Sequence, residues 1–120
     1  MGSEQKAFGD FLKILIKSAK MTHAEFYDKI GITKPYFYDI LSGRVNPPPS
    51  DMQYKAVKIL DSDEKERTAF FDLAANGRNE LPADIVSTIS EYPEIKSIMR
   101  NHLNQLLAIS GGSHKYEREA

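Results

Sequence analysis

The stretch that decides the fold runs from Thr22 to Gly43 and reads THAEFYDKIGITKPYFYDILSG. It opens with the pattern of a capping box, in which the Thr22 side chain accepts the backbone N–H of Glu25 and the Glu25 side chain reaches back to the N–H of Thr22. Gly31 then supplies the left-handed position at which helices commonly end. Pro35 suits the first turn of a second helix, which Gly43 ends. The pattern predicts two short helices joined by a tight turn.

The second of these helices has an apolar side and a polar side. Either Thr33 or Lys34 caps its start. Helical spacing places Phe37, Ile40 and Leu41 on one side, where we expect them to pack against the preceding helices. The opposite side carries Pro35, Tyr38, Asp39 and Ser42, with Tyr36 at its edge and Lys34 at the helix start. The aromatic run of this helix is therefore divided between core and surface.

The rest of the chain is also predicted to be helical, because apolar residues recur at three- and four-residue spacing without strand-like alternation. We expect an all-α protein. A stripe on the first helix comprises Phe8, Phe11, Leu12, Leu15, Ile16 and Ala19. After the connector RVNPPPS at 44–50, Ser50 and Gln53 predict another capping box, at the start of a fourth helix that continues through Leu60.

A fifth helix is predicted to begin near Ser62 and to end at Asn76 and Gly77. Composition changes after Gly77, which marks a candidate domain boundary. We assign residues 1–77 to a first domain, 78–112 to a helical C-terminal region and 113–120 to a flexible tail.

Two helices, opened by Pro82 and Pro93, are predicted in the C-terminal region, and each has an apolar face. These faces carry Ile85, Ile89, Ile95, Ile98, Met99, Leu103 and Leu106. His102 lies on the same stripe, and we expect it to pack there. The faces either form a lid over the fifth helix or associate with a second copy. We favour dimerisation, because a complete five-helix domain leaves little core for them to cover.

Composition excludes several classes of protein. The 120 residues are 41% hydrophobic and 28% charged and contain no membrane-spanning apolar run, so we expect a soluble, cytoplasmic protein without membrane contact. Cysteine is absent, and His23, His102 and His114 are scattered, so no metal site is predicted. The sequence has no phosphate-binding glycine loop, nucleophile motif or converging carboxylates. We therefore predict no cofactor, no catalytic residues and no enzymatic activity.

Charge is distributed unevenly between the two halves of the chain. Residues 1–60 contain nine Lys and Arg against six Asp and Glu, whereas residues 61–120 contain seven against eleven. A mildly basic N-terminal half suits contact with DNA phosphates, whereas the acidic character of the C-terminal half keeps that half away from DNA.

The paired helices have the length of a helix-turn-helix unit, in which the second helix enters the DNA major groove and the first begins near a phosphate. With FGDFLKILIKSAK before it and RVNPPPS after it, the stretch resembles the phage-repressor-like, or Xre-type, regulators over roughly Phe8 to Leu60. The landmarks are Thr22, Glu25, Gly31, Ile32, Thr33, Ile40, Gly43 and Pro47. The resemblance implies a five-helix repressor-like domain that binds operator DNA, usually as a dimer on a two-fold site.

Two sets of DNA contacts are predicted around this unit. The expected base-reading residues are Lys34, Pro35, Tyr36, Tyr38, Asp39 and Ser42. The expected phosphate contacts are Thr22, His23, Thr33, Arg44 and Asn46. Asp39 either meets a cytosine amine or pairs with Lys34 or Arg44. Two residues depart from the family pattern: many relatives have Gln at the position of His23 and a small residue at that of Tyr27. Because Tyr27 is larger, either the crossing of the two helices is shifted or the Tyr27 ring turns outward.

These observations predict a DNA-binding transcriptional regulator, with repression favoured over activation, that binds double-stranded DNA as a homodimer. The alternative is an antitoxin-like interaction module. In that case the C-terminal half binds a partner protein and the N-terminal half regulates its own promoter.

Overall fold

The computed structural model describes residues 2–109, and all regular secondary structure in this range is helical, as predicted. The helices are α1 (Ser3–Ser18), α2 (His23–Ile30), α3 (Lys34–Ser42), α4 (Ser50–Ile59), α5 (Glu64–Arg78), α6 (Ala83–Glu91) and α7 (Pro93–Ile109). The predicted tail at 113–120 lies outside the described residues.

The described residues form two compact units, the first ending at Asp84 and the second beginning at Ile85. The predicted boundary after Gly77 thus lies inside the first unit. The Tyr54 hydroxyl donates a hydrogen bond to the Ala83 carbonyl at 3.2 Å, and Ala83 packs against the core. These two contacts attach the segment after α5 to the first unit.

The core of the first unit is built around α1, which packs against α3 and α5, while α2 packs against α3 and α4. Its buried members are Phe8, Leu12, Leu15, Ile16, Phe26, Ile30, Phe37, Ile40, Leu41, Ala56, Val57, Leu60, Phe70, Phe71 and Ala74. The predicted stripe of α1 is confirmed, with Phe11 and Ala19 half-buried at its margins. The first five helices therefore share one core.

Helices α1 and α3 approach each other closely at Gly9. A Cβ atom added to Gly9 would lie only 2.3 Å from the Leu41 carbonyl oxygen and 2.7 Å from that of Ile40. The backbone of α1 therefore rests directly on the C-terminal carbonyls of α3. Glycine alone leaves room for this contact.

The predicted capping box of α4 is wrong. Pro49 occupies the N-cap position without a side-chain hydrogen bond, and Gln53 is buried, with its Nε2 donating to the Pro48 carbonyl at 2.8 Å. Gln53 lies three and four residues before the buried Ala56 and Val57, so helical geometry turns its side chain inward. The amide then takes a nearby carbonyl as its partner.

The predicted end of α5 at Asn76 and Gly77 is also wrong. The helix continues to Arg78, and Asn79 supplies the left-handed residue with φ of +56°. Gly77 is helical and buried, and a Cβ there would lie 2.7 Å from the Pro47 ring. Gly77 therefore permits close packing against the proline connector rather than ending the helix.

Candidate nucleic-acid interface

The two short helices begin at hydrogen-bonded caps. The Thr22 Oγ1 accepts from the Glu25 N–H at 3.1 Å, and the Thr22 N–H donates to the Glu25 carboxylate at 2.9 Å. These hydrogen bonds from Thr22 hold the pKa of Glu25 below its ordinary value. At the second start, the Thr33 Oγ1 accepts from the Tyr36 N–H at 3.3 Å, so Thr33 rather than Lys34 is the cap. Both predicted caps of this stretch are confirmed, and both threonines are exposed.

The helices end at glycines in the left-handed conformation, Gly31 with φ of +85° and Gly43 with φ of +79°. At the end of α2, the Lys55 ammonium donates to the Ile30 carbonyl at 3.0 Å. Residues 31–33 join the two helices. This short link places the start of α3 directly after the end of α2.

The predicted division of α3 into two sides agrees with its burial. Phe37, Ile40 and Leu41 are 0%, 2% and 3% exposed. On the other side, Lys34, Pro35, Tyr38 and Ser42 are exposed, whereas Tyr36 and Asp39 are half-buried. The six candidate base-reading residues thus remain accessible on a helix that three apolar side chains anchor.

An aromatic cluster joins α2 to α3. The Phe37 ring centroid lies 5.8 Å from that of Phe26, 5.4 Å from Tyr27, 5.3 Å from His23 and 5.1 Å from Tyr38. Tyr27 is half-buried with its ring against Phe37, so the ring is not turned fully outward. The Tyr27 ring therefore contributes to the contact between α2 and α3.

His23 and Tyr38 form a polar pair at the edge of this cluster. The His23 Nδ1 lies 3.3 Å from the Tyr38 hydroxyl oxygen, within hydrogen-bonding distance, and the ring centroids are 5.8 Å apart. The pair links a candidate phosphate contact on α2 with a candidate base reader on α3. Helix α2 therefore restrains the direction in which the Tyr38 side chain points.

Asp39 forms one of the two predicted local salt bridges. Its Oδ1 lies 3.6 Å from the Arg44 Nη1, while the Arg44 side chain stays 79% exposed. An exposed pair of this kind contributes only about 0 to 1 kcal/mol, so Arg44 can exchange partners at small cost. The Ser42 hydroxyl donates to the backbone carbonyl of Asp39 at 3.2 Å. Because its hydrogen is used there, Ser42 can interact with another group mainly as an acceptor.

The connector after α3 is attached by residues that the sequence did not single out. The Gln5 Nε2 donates to the Gly77 carbonyl at 2.7 Å and to the Asn46 Oδ1 at 3.3 Å. The Arg78 Nη1 donates to the Pro47 carbonyl at 3.0 Å. Arg44 and Asn46 therefore extend from a connector that hydrogen-bonds to two helices, to α1 through Gln5 and to α5 through Arg78. No local motif marks Gln5 or Arg78 for this task.

The second unit exposes much of its apolar surface. Of the predicted dimerisation residues, Ile85, Ile98, Met99 and Leu106 are exposed, while Ile89, Ile95 and Leu103 are half-buried. His102 is exposed, so its predicted packing is wrong within the chain. An open groove, here called the C-terminal groove, is lined by Ile89, Lys96, Met99, Arg100 and Leu103. Its lining thus combines three apolar with two cationic side chains.

Comparison with known proteins found no match to a family model, to a curated protein or to a solved structure. Within residues 2–109 no group of three or more histidine and acidic side chains is arranged to hold a metal ion. None of the helices in that range has the length and apolar character needed to cross a membrane.

Proposed function

We propose that the protein is a sequence-specific DNA-binding transcriptional regulator, acting in the cytoplasm as a repressor on a two-fold operator. Helix α3 would enter the major groove with its exposed side. The observation that carries the proposal is the two-sided character of α3, in which Phe37, Ile40 and Leu41 are buried and polar side chains of Lys34 and Tyr38 stay exposed. A helix anchored on one side and polar on the other suits insertion into a groove.

The exposed side of α3 offers groups that match base edges. The Lys34 ammonium suits guanine O6 and N7, and the Asp39 carboxylate suits a cytosine amine. The rings of Tyr36 and Tyr38 suit contact with thymine methyl groups. Each good base contact contributes about 1 to 3 kcal/mol of discrimination against the wrong base.

The candidate phosphate contacts lie at the starts of the two short helices and after the end of α3. Thr22 and His23 lie at the start of α2, and Thr33 lies at the start of α3, where the helix dipoles favour an anion. Arg44 and Asn46 follow the end of α3. Because the Asp39–Arg44 pair is exposed, Arg44 can turn to a phosphate when Asp39 meets its base.

The second unit is proposed to hold two copies together. The C-terminal groove is lined by three apolar and two cationic side chains. The turn between α6 and α7 has the complementary pattern, an exposed Tyr92 flanked by the exposed carboxylates of Glu91 and Glu94. Seating the turn of each copy in the groove of the other gives an isologous contact, which is the symmetry that a two-fold operator requires.

A charge exchange tests this interface. The variant Lys96→Glu/Arg100→Glu and the variant Glu91→Lys/Glu94→Lys are each expected to sediment as monomers at a concentration where the wild type is a dimer, because like charges then face each other. A mixture of the two variants is expected to restore a dimer. A monomeric wild type would contradict the interface, and a stoichiometric partner protein bound to the second unit would favour the antitoxin-like alternative.

Selection of duplexes from a random DNA pool tests the proposed function itself. The wild-type chain is expected to enrich a two-fold motif whose half-sites lie about 10 base pairs apart, or a multiple of this distance. A pool that shows no enrichment would refute DNA recognition.

A further inference from the structure

Gln5 and Asn46 meet where the connector after α3 passes the first turn of α1. The Gln5 Nε2 lies 2.7 Å from the Gly77 carbonyl oxygen and 3.3 Å from the Asn46 Oδ1. A primary amide nitrogen carries two hydrogens, so these two acceptors use both donors of Gln5. The direction of the Gln5 amide is therefore determined by its surroundings.

This direction also determines how Asn46 is oriented. The Gly77 carbonyl can only accept a hydrogen bond, so the nitrogen and not the oxygen of the Gln5 amide faces it. Asn46 must then present its Oδ1 to Gln5, because its own NH2 group would oppose another NH2 group. The two N–H donors of Asn46 are consequently left on the side away from Gln5, on an exposed residue.

Both sides of this contact are attached to the last turn of α5. The Arg78 Nη1 donates to the Pro47 carbonyl at 3.0 Å, and Pro47 packs against the helical backbone at Gly77. The connector next to Asn46 is thus attached to α5, and Gln5 is attached to the same turn of α5 through the Gly77 carbonyl.

We propose that Gln5 is a positioning residue for DNA binding, which orients the Asn46 amide so that its Nδ2 donates to a phosphate oxygen beside α3. This inference rests on the proposed function and adds to it a residue outside the two short helices. An amide already turned toward the phosphate loses less side-chain freedom on binding, and a hydrogen bond to an anion is stronger than one to a neutral group.

A double-mutant cycle tests the role of Gln5. The affinity for the duplex selected by the wild type is measured for the wild type, Gln5→Met, Asn46→Ala and the double variant. Gln5→Met, which keeps the length of the side chain but removes its donors, is expected to weaken binding about 3- to 10-fold. In the Asn46→Ala background the same change is expected to have little further effect. The slope of affinity against salt should stay constant, because neither residue carries a charge.

Three controls separate positioning from a general loss of structure. Gln5→Met is expected to lower the midpoint of thermal unfolding by a similar amount in both backgrounds, because most of the loss comes from the part-buried hydrogen bond to the Gly77 carbonyl and little from the long, exposed one to Asn46. DNA affinity, in contrast, is expected to change only when Asn46 is present. Gln105→Met, at an exposed glutamine of α7, is expected to bind like the wild type. If Gln5→Met does not fold, Gln5→Asn replaces it, since that shorter amide cannot reach both partners.

The outcomes also separate this inference from the proposed function. Equal effects of Gln5→Met with and without the Asn46 amide, or no effect in either background, would overturn the positioning role while leaving DNA recognition intact. A wild-type chain that binds no duplex would overturn both.

Discussion

Replacing Phe37 with alanine is expected to lower the free energy of unfolding by about 3 to 5 kcal/mol. Phe37 is 0% exposed, and the rings of His23, Phe26, Tyr27 and Tyr38 surround it. Truncation removes the buried ring and leaves a cavity. The surrounding rings belong to two different helices, so they cannot all move inward to fill it. Since small domains have about 5 to 15 kcal/mol of stability in total, the loss would be a large fraction.

Chemical denaturation of the wild type and of Phe37→Ala measures this difference. Tyr38→Ala on the same helix is the matched control, because that residue is 42% exposed and removal of its side chain should cost only about 1 kcal/mol. If Phe37→Ala were no more destabilising than Tyr38→Ala, the anchoring of α3 through Phe37 would be wrong. DNA binding by Phe37→Ala should also be weakened, since His23 and Tyr38 lose the ring they contact.

Gly9→Ala is expected to destabilise the protein by about 3 kcal/mol or more. The new Cβ would lie 2.3 Å from the Leu41 carbonyl oxygen, and no rotation of a side chain can relieve a contact with backbone. Helices α1 and α3 would have to separate. This result is opposite in sign to helix propensity, which favours alanine over glycine by about 1 kcal/mol inside a helix.

The inverse change at Ala7 is the control for Gly9→Ala. Ala7 is exposed on the same helix, so Ala7→Gly is expected to cost about 0.5 to 1 kcal/mol through propensity alone. Both substitutions should therefore lower the midpoint of thermal unfolding, Gly9→Ala by more. A Gly9→Ala protein as stable as the wild type would show that α1 and α3 are not in backbone contact at this point.

The parts of the fold that sequence predicted depend on neighbours within one helical turn. Thr22 and Glu25 form their capping box within three residues, and Gly31 and Gly43 adopt the left-handed conformation that a helix end requires. The burial of Phe37 follows from its spacing to the other apolar residues of α3. Such local rules require no knowledge of the rest of the chain.

The features that the sequence predicted wrongly or missed are of two kinds. Some are contacts between residues distant in sequence, and others involve a polar side chain that becomes buried. The sequence predicts that α5 ends at Gly77, but Gly77 is helical and faces the ring of Pro47, a residue far back along the chain. The sequence predicts a capping box between Ser50 and Gln53, but burial turns the Gln53 amide to the Pro48 carbonyl. The Gln5 contact with Asn46 has the same origin, since α1 meets the connector only after the core has assembled.

The central claim, that the exposed side of α3 meets DNA, is tested most directly by affinity for the selected duplex over a range of salt concentrations. Lys34→Ala is expected to lose about 1 to 3 kcal/mol of discrimination at one position of each half-site. Arg44→Ala is expected to weaken binding to all sequences and to reduce the slope of log affinity against log salt by about 1. Lys65→Ala, an exposed lysine on α5, is the matched control and should retain the wild-type preference and slope. Wild-type affinity, preference and slope in both Lys34→Ala and Arg44→Ala would contradict the claim.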